Sequence, residues 1–324
     1  MQIATGYWLS KALYCAAKAD VADQLAAGPQ PVSRLAEEAD VDRENLHRIL
    51  RALASVGIFA ETDPGTFMLT DKAEYLRGDH EESIKYSALM LGDDLYEVWG
   101  DIYYAVESGR SAIERRFGRD FFAEIAKDPQ KSRIFDSAMQ EIHGGETALM
   151  LDAYDFSKFE TVLDVGGGNG STLCGILNAH PTLKGQLFDL PPVVDHARQV
   201  VSEAGLADRV EFIGGNFFDA ITGSADAIVM RHVLHDWSDE QSTTILRHCR
   251  EALKEGGRVL IVEKVIRPGN DPEFAKLLDL NMMAIGGKER TEEQYSSLLA
   301  DAGFTLAKVH ATPGPVDVVE ATVA

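Results

Sequence analysis

A turn in which four of five residues are glycine, residues 166–170, constrains this chain more than any other segment. It follows an apolar run at 161–165 that predicts a buried strand, and it precedes 171–180, which predicts a helix. Without Cβ atoms the backbone can bend sharply and come close to a ligand. Because ligands of open parallel sheets lie at the carboxyl ends of the strands, the turn predicts a ligand site.

The turn does not match the dinucleotide fingerprint G-x-G-x-x-G. The last glycine position is Ser171 when counted from Gly166, and Leu173 when counted from Gly168. Asp164, just before the glycines, suits a cationic or amine-bearing ligand better than a pyrophosphate. These departures disfavour a nicotinamide-dependent oxidoreductase, while a turn that serves packing alone stays open.

Two later turns strengthen the case for a nucleoside ligand. Asp189 ends the strand predicted at 185–190, about 20 residues past the glycines, where an acid can chelate a ribose diol. The alternative is a turn aspartate before the two prolines at 191 and 192. After the strand at 209–213, Asn216 can bond an adenine edge and Phe217 can cover its face. Three such turns at successive strand ends are hard to explain by packing alone.

From residue 159 onwards, predicted strands and helices alternate, which favours a parallel sheet covered on both faces. Ser238 and Gln241 have capping-box chemistry, and Gly256-Gly257 predicts the end of that helix. The remaining predicted elements are strands at 225–230 and 258–262, helices at 193–204, 238–254 and 291–301, and a closing hairpin at 304–310 and 316–323.

The first half of the chain predicts a winged helix. Asp42 is a good N-cap for a helix at 42–56, and Gly57 is a natural stop. A shorter helix at 32–39 precedes it, and segments 59–62 and 66–69 predict a hairpin. A winged helix can bind DNA or serve dimerisation. The net charge of −21 repels phosphate backbones, so it favours a dimerisation module and disfavours a DNA-binding transcription factor.

Charge and cysteine usage restrict partners and compartment. The acidic surface also disfavours anionic membranes, and no run of 18 apolar residues is present. A signal peptide is not expected, because no basic residues precede the stretch 3–17 and Lys11 interrupts it. The three cysteines are far apart, which excludes a disulfide framework and fits a reducing compartment. We therefore expect a cytoplasmic protein that binds neither nucleic acid nor membrane.

The chain resembles the S-adenosylmethionine-dependent O-methyltransferases of the plant caffeate and bacterial natural-product type over essentially its whole length. The resemblance implies a homodimer with a winged-helix dimerisation domain at 1–83, a helical acceptor-pocket region at 84–150, and an α/β, Rossmann-like doubly wound catalytic domain at 151–324. The motifs that carry it are LDVGGGNG, FDLP at 188–191, GGNFFD, RHVLHDWSDE at 231–240 and GGKERT at 286–291.

The resemblance also implies S-adenosylmethionine as the cofactor. Asn216 stands where the family often has an aspartate, and it keeps an acceptor while losing the charge. Arg231 matches a basic residue of the cofactor site. The implied cofactor-binding residues are Gly166, Gly168, Asp189, Asn216, Phe217 and Arg231.

His235, past the fourth predicted strand, is the catalytic base by resemblance. A phenol with a pKa of about 10 is mostly protonated at neutral pH, and histidine, near 6.5, can accept its proton. Glu263 and Glu289 match acids of the site, and an acid bonded to the imidazole would fix its orientation. A metal pair of His232 and His235 is disfavoured because no third ligand beyond Asp236 is evident, so no metal is expected.

The acceptor is the least constrained part of this interpretation. We expect a small aromatic metabolite of secondary metabolism with a phenolic hydroxyl, while an amine or carboxylate acceptor stays open. Hydroxylation or decarboxylation on the same frame is an alternative that the three catalytic residues disfavour. The acceptor contacts implied by resemblance are Phe135, Met139, Asn281 and Met282, for which core packing is an equal alternative in the apolar members.

Overall fold

The computed structural model describes every residue from Met1 to Ala324. It divides into two compact units. The first comprises Met1–Glu107 and Ile113–Gly144, and the second comprises Ser108–Ala112 and Gly145–Ala324. The helical region predicted at 84–150 therefore falls mostly within the first unit, together with the winged-helix segment.

The first unit is mainly helical and carries a small sheet. The sheet is antiparallel, with strand order β1-β3-β2: β1 (Gln30–Pro31), β2 (Phe59–Asp63) and β3 (Thr66–Leu69). A 3₁₀ turn lies at Glu74–Leu76. The helices are α1 (Gln2–Lys18), α2 (Val21–Gln24), α3 (Val32–Glu38), α4 (Arg43–Ala54), α5 (Lys85–Gly92), α6 (Asp94–Trp99), α7 (Ile102–Ser108), α8 (Ala112–Phe117), α9 (Phe121–Ile125) and α10 (Pro129–His143).

Helix α4 forms for the reasons that its sequence suggests. The Asp42 carboxylate accepts the N–H of Asn45 at 2.8 Å and so caps the first turn. Leu46, Leu50 and Leu53 recur at helical spacing and are all buried in one core cluster. The predicted pair of helices and the hairpin after them are confirmed, with α4 ending at Ala54.

The second unit contains a seven-stranded sheet in the order β11-β12-β8-β7-β4-β5-β6. Strands β4 to β8 are parallel, and the closing hairpin adds two antiparallel strands. The strands are β4 (Thr161–Val165), β5 (Lys184–Asp189), β6 (Val210–Gly214), β7 (Ala225–Arg231), β8 (Leu253–Glu263), β11 (Phe304–His310) and β12 (Asp317–Val323), and a separate parallel pair joins β9 (Val265–Ile266) to β10 (Arg290–Thr291).

Helices cover both faces of this sheet, and each face has its own core. Along β7, Ile228 and Met230 belong to one apolar cluster, whereas Ala227 and Val229 belong to the other. This alternation is the period of two expected of a strand buried on both sides. The predicted α/β doubly wound fold is confirmed. The helices are α11 (Glu146–Ala153), α12 (Ser171–Ala179), α13 (Pro191–Glu203), α14 (Asp239–Ala252), α15 (Phe274–Ile285) and α16 (Glu292–Asp301), with 3₁₀ turns at Ala207–Arg209 and Leu234–Asp236.

Two local expectations need correction. The capping box of Ser238 and Gln241 is present, but α14 ends at Ala252, and Gly256-Gly257 lie inside β8. The glycines do not end the helix because β8 begins at Leu253, which pairs with Ala225 of β7. Helix α15 was not predicted, since apolar residues on its exposed side, such as Phe274 and Leu277, blur the helical period.

No helix of the structure is long and apolar enough to span a membrane.

The burial assigned to the core of the second unit can be tested by making the same Leu→Ala substitution at a buried and at an exposed helical position. Leu177 on α12 is fully buried, and Leu277 on α15 is 62% exposed. Leu177→Ala should lower the free energy of unfolding by about 2–5 kcal/mol because it leaves a cavity. Leu277→Ala should change it by no more than about 0.5 kcal/mol. Urea denaturation of both variants measures this, and equal losses would contradict the assigned burial.

Candidate active site

The predicted cofactor-binding and catalytic residues of the second unit converge at one edge of the sheet. Because β4 to β8 are parallel, their carboxyl ends meet there in the order β8, β7, β4, β5, β6. In that order they present Glu263, Arg231, Gly166, Asp189 and, two residues past β6, Asn216. The segment that carries His235 leaves β7, so it starts between the strand of Glu263 and the glycine turn.

The backbone conformation of the turn requires glycine at three of its positions. Gly166, Gly168 and Gly170 have φ values of +70°, +55° and +82°, a region that disfavours residues with a Cβ. A Cβ on Gly166 would lie 2.7 Å from Cγ2 of Val233, so the turn packs directly on the segment of His235. A Cβ on Gly168 would meet no heavy atom within 4 Å, so the backbone there faces open space.

Asp164 is buried beside this turn, and its Oδ2 has no hydrogen-bond partner. Burial raises the pKa of Asp164 to about 7, with Arg231 opposing and Asp189 adding to the rise. A buried carboxylate oxygen without a donor is costly, so the Oδ2 of Asp164 is a candidate acceptor for a ligand donor. The sequence indicated its charge, but its orphaned oxygen required the tertiary structure.

Asp189 at the end of β5 is held in a fixed orientation. Its Oδ2 accepts the N–H of Gly168 at 2.9 Å, and its Oδ1 accepts the N–H of Leu190 at 2.7 Å. Burial raises the pKa of Asp189, and these two backbone bonds oppose the rise. A carboxylate has about four acceptor positions, so two stay available for a diol.

Asn216 and Phe217 lie past the end of β6, next in line after Asp189. The Oδ1 of Asn216 accepts the N–H of Phe218 at 3.0 Å, so this oxygen is engaged in a local turn. The Phe217 ring packs edge-on against Phe218 and Trp237, with ring centroids 4.9 and 5.9 Å apart. The aromatic side chain therefore belongs to the rim of the apolar core at this edge.

His235 lies in the 3₁₀ turn Leu234–Asp236 and is 8% exposed. Its Nδ1 lies 2.8 Å from Oε1 of Glu289, and its Nε2 lies 3.7 Å from Oδ1 of Asp236. Since a carboxylate only accepts, Nδ1 is the protonated nitrogen, and in the neutral ring Nε2 is left to accept a proton. Burial alone would lower the pKa of His235, but the carboxylates of Asp236, Glu289 and Glu263 raise it to about 10.

The two predicted glutamates do different things. Glu289 bonds the imidazole, as expected of an orienting acid. Glu263 does not: its Oε1 accepts the backbone N–H groups of Val233 and His235, each at 3.1 Å. Its position at the end of β8, next to β7, places it under the backbone of the loop rather than beside the ring.

The loop at 286–291 forms hydrogen bonds to the backbone of the segment that carries His235. The N–H of Lys288 donates to the carbonyl of His235 at 2.7 Å. Arg290, which is fully buried, donates to the carbonyls of Leu234 and Trp237 at 2.9 and 3.0 Å. From the sequence only Glu289 was predicted as a site residue in this motif. Arg290 was not, because a buried guanidinium cannot be told from an exposed one in sequence.

Arg231 and His232 at the end of β7 meet the start of α11. Nη1 of Arg231 lies 3.4 Å from Oγ1 of Thr147 and 3.7 Å from Oε2 of Glu146. Nε2 of His232 lies 2.8 Å from the same Glu146 oxygen. The positive charge of Arg231 also opposes the rise in the pKa of Asp164.

The residues expected to contact the acceptor belong to different units. Phe135 and Met139 lie on α10 in the first unit, where Phe135 packs edge-on against Phe121 at 5.5 Å. Asn281 and Met282 lie on α15 in the second unit, where Met282 is buried and Asn281 is half-buried.

Comparison with family models decides the assignment. The model of the O-methyltransferase domain matches residues 99–305, and that of the O-methyltransferase dimerisation domain matches residues 1–78. The chain belongs to the O-methyltransferase family. It is an S-adenosylmethionine-dependent O-methyltransferase with an N-terminal dimerisation domain, and the predicted family, enzyme class and cofactor are confirmed.

The O-methyltransferase has relatives along its full length. The phenazine O-methyltransferase of Lysobacter antibioticus is 40% identical, over 99% of this chain and 94% of the relative. The structure of LaPhzM matches with a TM-score of 0.94 at 40% identity, covering 100% of this chain and 98% of the other. An O-methyltransferase from neocarzinostatin biosynthesis, solved with S-adenosylmethionine and 2-hydroxy-5-methyl naphthoic acid, matches at 0.88 and 32% identity, covering 97% and 96%.

One relative carries a different activity in its name. Aclacinomycin 10-hydroxylase of Streptomyces purpurascens is 34% identical over 91% of this chain and 81% of its own length. The residues at the sheet edge of the present chain fit S-adenosylmethionine in their chemistry, since Asp164 offers an unpartnered carboxylate oxygen that suits a charged amine and the backbone at Gly168 faces open space.

The grip of the 286–291 loop can be tested at Gly287. A Cβ there would lie 2.1 Å from the carbonyl oxygen of His235, a backbone atom that cannot swing away. Gly287→Ala should lower the free energy of unfolding by about 1–3 kcal/mol and reduce methyl transfer. Gly145→Ala is the matched control, because its φ is −88° and a Cβ would meet nothing within 4 Å. Indistinguishable denaturation curves for the two variants would refute the close contact.

Proposed function

We propose that this enzyme methylates a phenolic hydroxyl of a small aromatic metabolite, with His235 as the general base. The observation that carries the proposal is the buried contact between Nδ1 of His235 and Glu289, next to the glycine turn of the cofactor edge. Two matched relatives support an aromatic acceptor, one by its name and one by the naphthoic acid in its structure.

Bound S-adenosylmethionine supplies an electrophilic methyl group on a positively charged sulfur. We assign Asp164 to its amine, the backbone of Gly166 and Gly168 to its methionine part, and Asp189 to its ribose. The support is the charge and orphaned oxygen of Asp164 and the two free acceptor positions of Asp189. Asn216, Phe217 and Arg231 complete the proposed cofactor site, with the first two at the adenine.

His235 would take the proton of the acceptor hydroxyl on Nε2. Glu289 holds the Nδ1 proton and stabilises the imidazolium that forms, as an orienting carboxylate does in other histidine sites. With a pKa of about 10, the imidazolium is as weak an acid as an ordinary phenol, whose pKa is also about 10. Proton transfer between them is therefore close to balanced, and the neutral form of His235 becomes more abundant as the pH rises.

Glu263 holds the backbone of the His235 segment, so we propose that it is a positioning residue rather than a group that touches the acceptor. For the acceptor itself we retain Phe135, Met139, Asn281 and Met282 as proposed contacts. Their support is chemical, because aromatic and thioether side chains pack well on flat rings.

The enzyme is proposed to act as a homodimer. The dimerisation-domain match covers residues 1–78, and α1 within it exposes large apolar side chains. Ile3 is 99% exposed, Trp8 61% and Tyr7 53%, which is unusual for groups that remain in water. Light scattering on the purified protein measures this directly.

Hydroxylation is the competing activity, since a hydroxylase stands among the relatives. A general base within reach of an acceptor oxygen is a feature that methyl transfer uses. The contact between His235 and Glu289 therefore favours methyl transfer.

Replacing the base tests the mechanism. His235→Gln should lower kcat by about a hundredfold to ten-thousandfold, because it removes the proton acceptor. Formation of S-adenosylhomocysteine with a small panel of phenols measures the rate. His310→Gln, whose ring bonds Glu320 on the terminal hairpin, is the control and should retain full activity. Unchanged turnover in His235→Gln would reject the proposal.

The pH profile gives a second measure of the same base. In the wild type kcat/KM should rise with pH from neutrality, since the pKa of His235 lies above its usual 6.5. Glu289→Gln removes a negative charge that favours the imidazolium, so the pKa of His235 should fall. The acidic limb, which is the part of the profile where kcat/KM rises with pH, should then move to lower pH. A limb that stays in place would show that another group titrates.

Cofactor binding should be linked to a proton on Asp164. Its carboxyl, with a pKa of about 7, is largely protonated at pH 6 and must ionise to pair with an amine, so affinity should rise with pH up to about 7. Calorimetric titration in buffers of different ionisation enthalpy should detect the released proton. Asp164→Asn should bind about tenfold or more weakly, with no proton release.

Asp226→Asn is the matched control for Asp164→Asn. Asp226 accepts the N–H groups of Glu160 and Thr161 at the opposite end of β4, so the cofactor affinity should not change. Equal weakening by both variants would contradict the assignment of Asp164 to the cofactor.

A further inference from the structure

The phenol of Tyr295 forms a buried contact with one of the two glutamates of the site. Tyr295 lies on α16, and its side chain is fully buried. Its hydroxyl donates to Oε2 of Glu263 at 2.5 Å. No role was predicted for Tyr295 from the sequence.

Glu263 connects this phenol to the catalytic loop. While Oε2 accepts from Tyr295, Oε1 accepts the backbone N–H groups of Val233 and His235. Glu263 is fully buried and has no ion-pair partner among the described residues, which comprise the whole chain. Tyr295 is therefore its only side-chain donor, and the two amides are its other donors.

We propose that Tyr295 is a positioning residue for methyl transfer. Its hydroxyl fixes the Glu263 carboxylate, and Glu263 in turn holds the backbone of the His235 segment in the position that catalysis requires. The inference rests on the proposed role of His235 as the base. It adds a third element, α16, to the support of the catalytic loop, next to β8 and the loop at 286–291.

The hydroxyl, rather than the ring, is the active part of Tyr295. A buried carboxylate oxygen without a donor is costly, and only the phenol reaches Oε2 of Glu263. Burial and the charge of Glu263 raise the pKa of Tyr295 well above its usual value, so it remains a donor at every physiological pH. Phenylalanine would fill the same space and leave Oε2 without a partner.

The charges around His235 make the effect measurable. On its own segment it faces Asp236, and the ring of His232 lies 5.0 Å from its own. From the other elements it faces Glu263 of β8 and Glu289 of the 286–291 loop, while the guanidinium of Arg290 bonds the carbonyls on either side. The loss of the Tyr295 hydroxyl changes the environment of one of these groups, Glu263.

The test is Tyr295→Phe in the full-length enzyme, with an accepted phenol. We expect kcat to fall about tenfold and the KM of the acceptor to stay within about twofold, because a displaced base costs rate more than binding. The acidic limb of the pH profile should move to lower pH, because a Glu263 carboxylate that has lost its donor is free to move away from His235, and the imidazolium then loses a negative neighbour.

Tyr154→Phe is the matched control. Tyr154 is also a buried tyrosine of the second unit, and its hydroxyl donates to a glutamate, Glu320, at 2.9 Å on β12. It should lose stability without any change in kcat or in the pH profile. If Tyr295→Phe behaves in the same way, Tyr295 is only structural and the proposal is overturned.

A second variant covers poor folding of Tyr295→Phe. Glu263→Gln keeps an acceptor for the two amides and offers its own N–H to the tyrosine oxygen, and it should lower kcat and shift the limb in the same direction. If Tyr295 acts through Glu263, Tyr295→Phe should have little further effect on kcat in the Glu263→Gln background. Additive losses, or a wild-type pH profile in Glu263→Gln, would overturn the proposal.

The outcome for His235→Gln separates the two proposals. If His235→Gln retains turnover and the acidic limb, the general-base proposal fails whatever Tyr295→Phe does. If His235→Gln is inactive while Tyr295→Phe has the wild-type rate and profile, the base stands and the role of Tyr295 is rejected.

Discussion

The parallel pairing of β7 with β4 on one side and with β8 on the other sets the geometry of the site. Parallel strands bring their carboxyl ends to one edge, so the segment after β7 starts between a glycine turn and Glu263. Each neighbour then restrains it: Val233 packs on Gly166, and the backbone N–H of His235 bonds Glu263. A one-place change in strand order would separate these groups.

Burial of charge is the second consequence of that arrangement. Asp164, Glu263 and Glu289 are all buried at this edge, where ionised groups are costly unless they are paired or bonded. Glu263 is bonded by backbone amides and by the phenol of Tyr295, and Glu289 is bonded by the imidazole of His235. Asp164 and Glu289 each keep one buried oxygen that has no partner. The carboxylates of Asp236, Glu289 and Glu263 raise the pKa of His235 to about 10, which suits the proton exchange with a phenol that is proposed for it.

Support of the His235 segment is shared among elements that are distant in sequence. Its backbone is bonded from β8 through Glu263 and from the 286–291 loop through Lys288 and Arg290, while Glu289 of that loop bonds the ring. The short β9–β10 pair joins these supports by placing Arg290 beside Val265. Such shared restraint suits the base role proposed for His235, because a small displacement of a base from its acceptor has a large cost in rate.

The sequence by itself determined the winged-helix pattern, the alternating fold and the positions of the turns at the strand ends, because glycine, capping and periodicity signals act within a few residues. It did not predict α15, and it placed the end of α14 at glycines that lie inside β8. It also singled out His235 and Glu289 through motifs that resemble a known family. Tertiary structure decided the rest. Only packing shows that Glu263 bonds the backbone rather than the imidazole, and that Tyr295 completes it. These contacts join residues about thirty positions apart, and no local pattern records which side chain a buried carboxylate meets across a sheet.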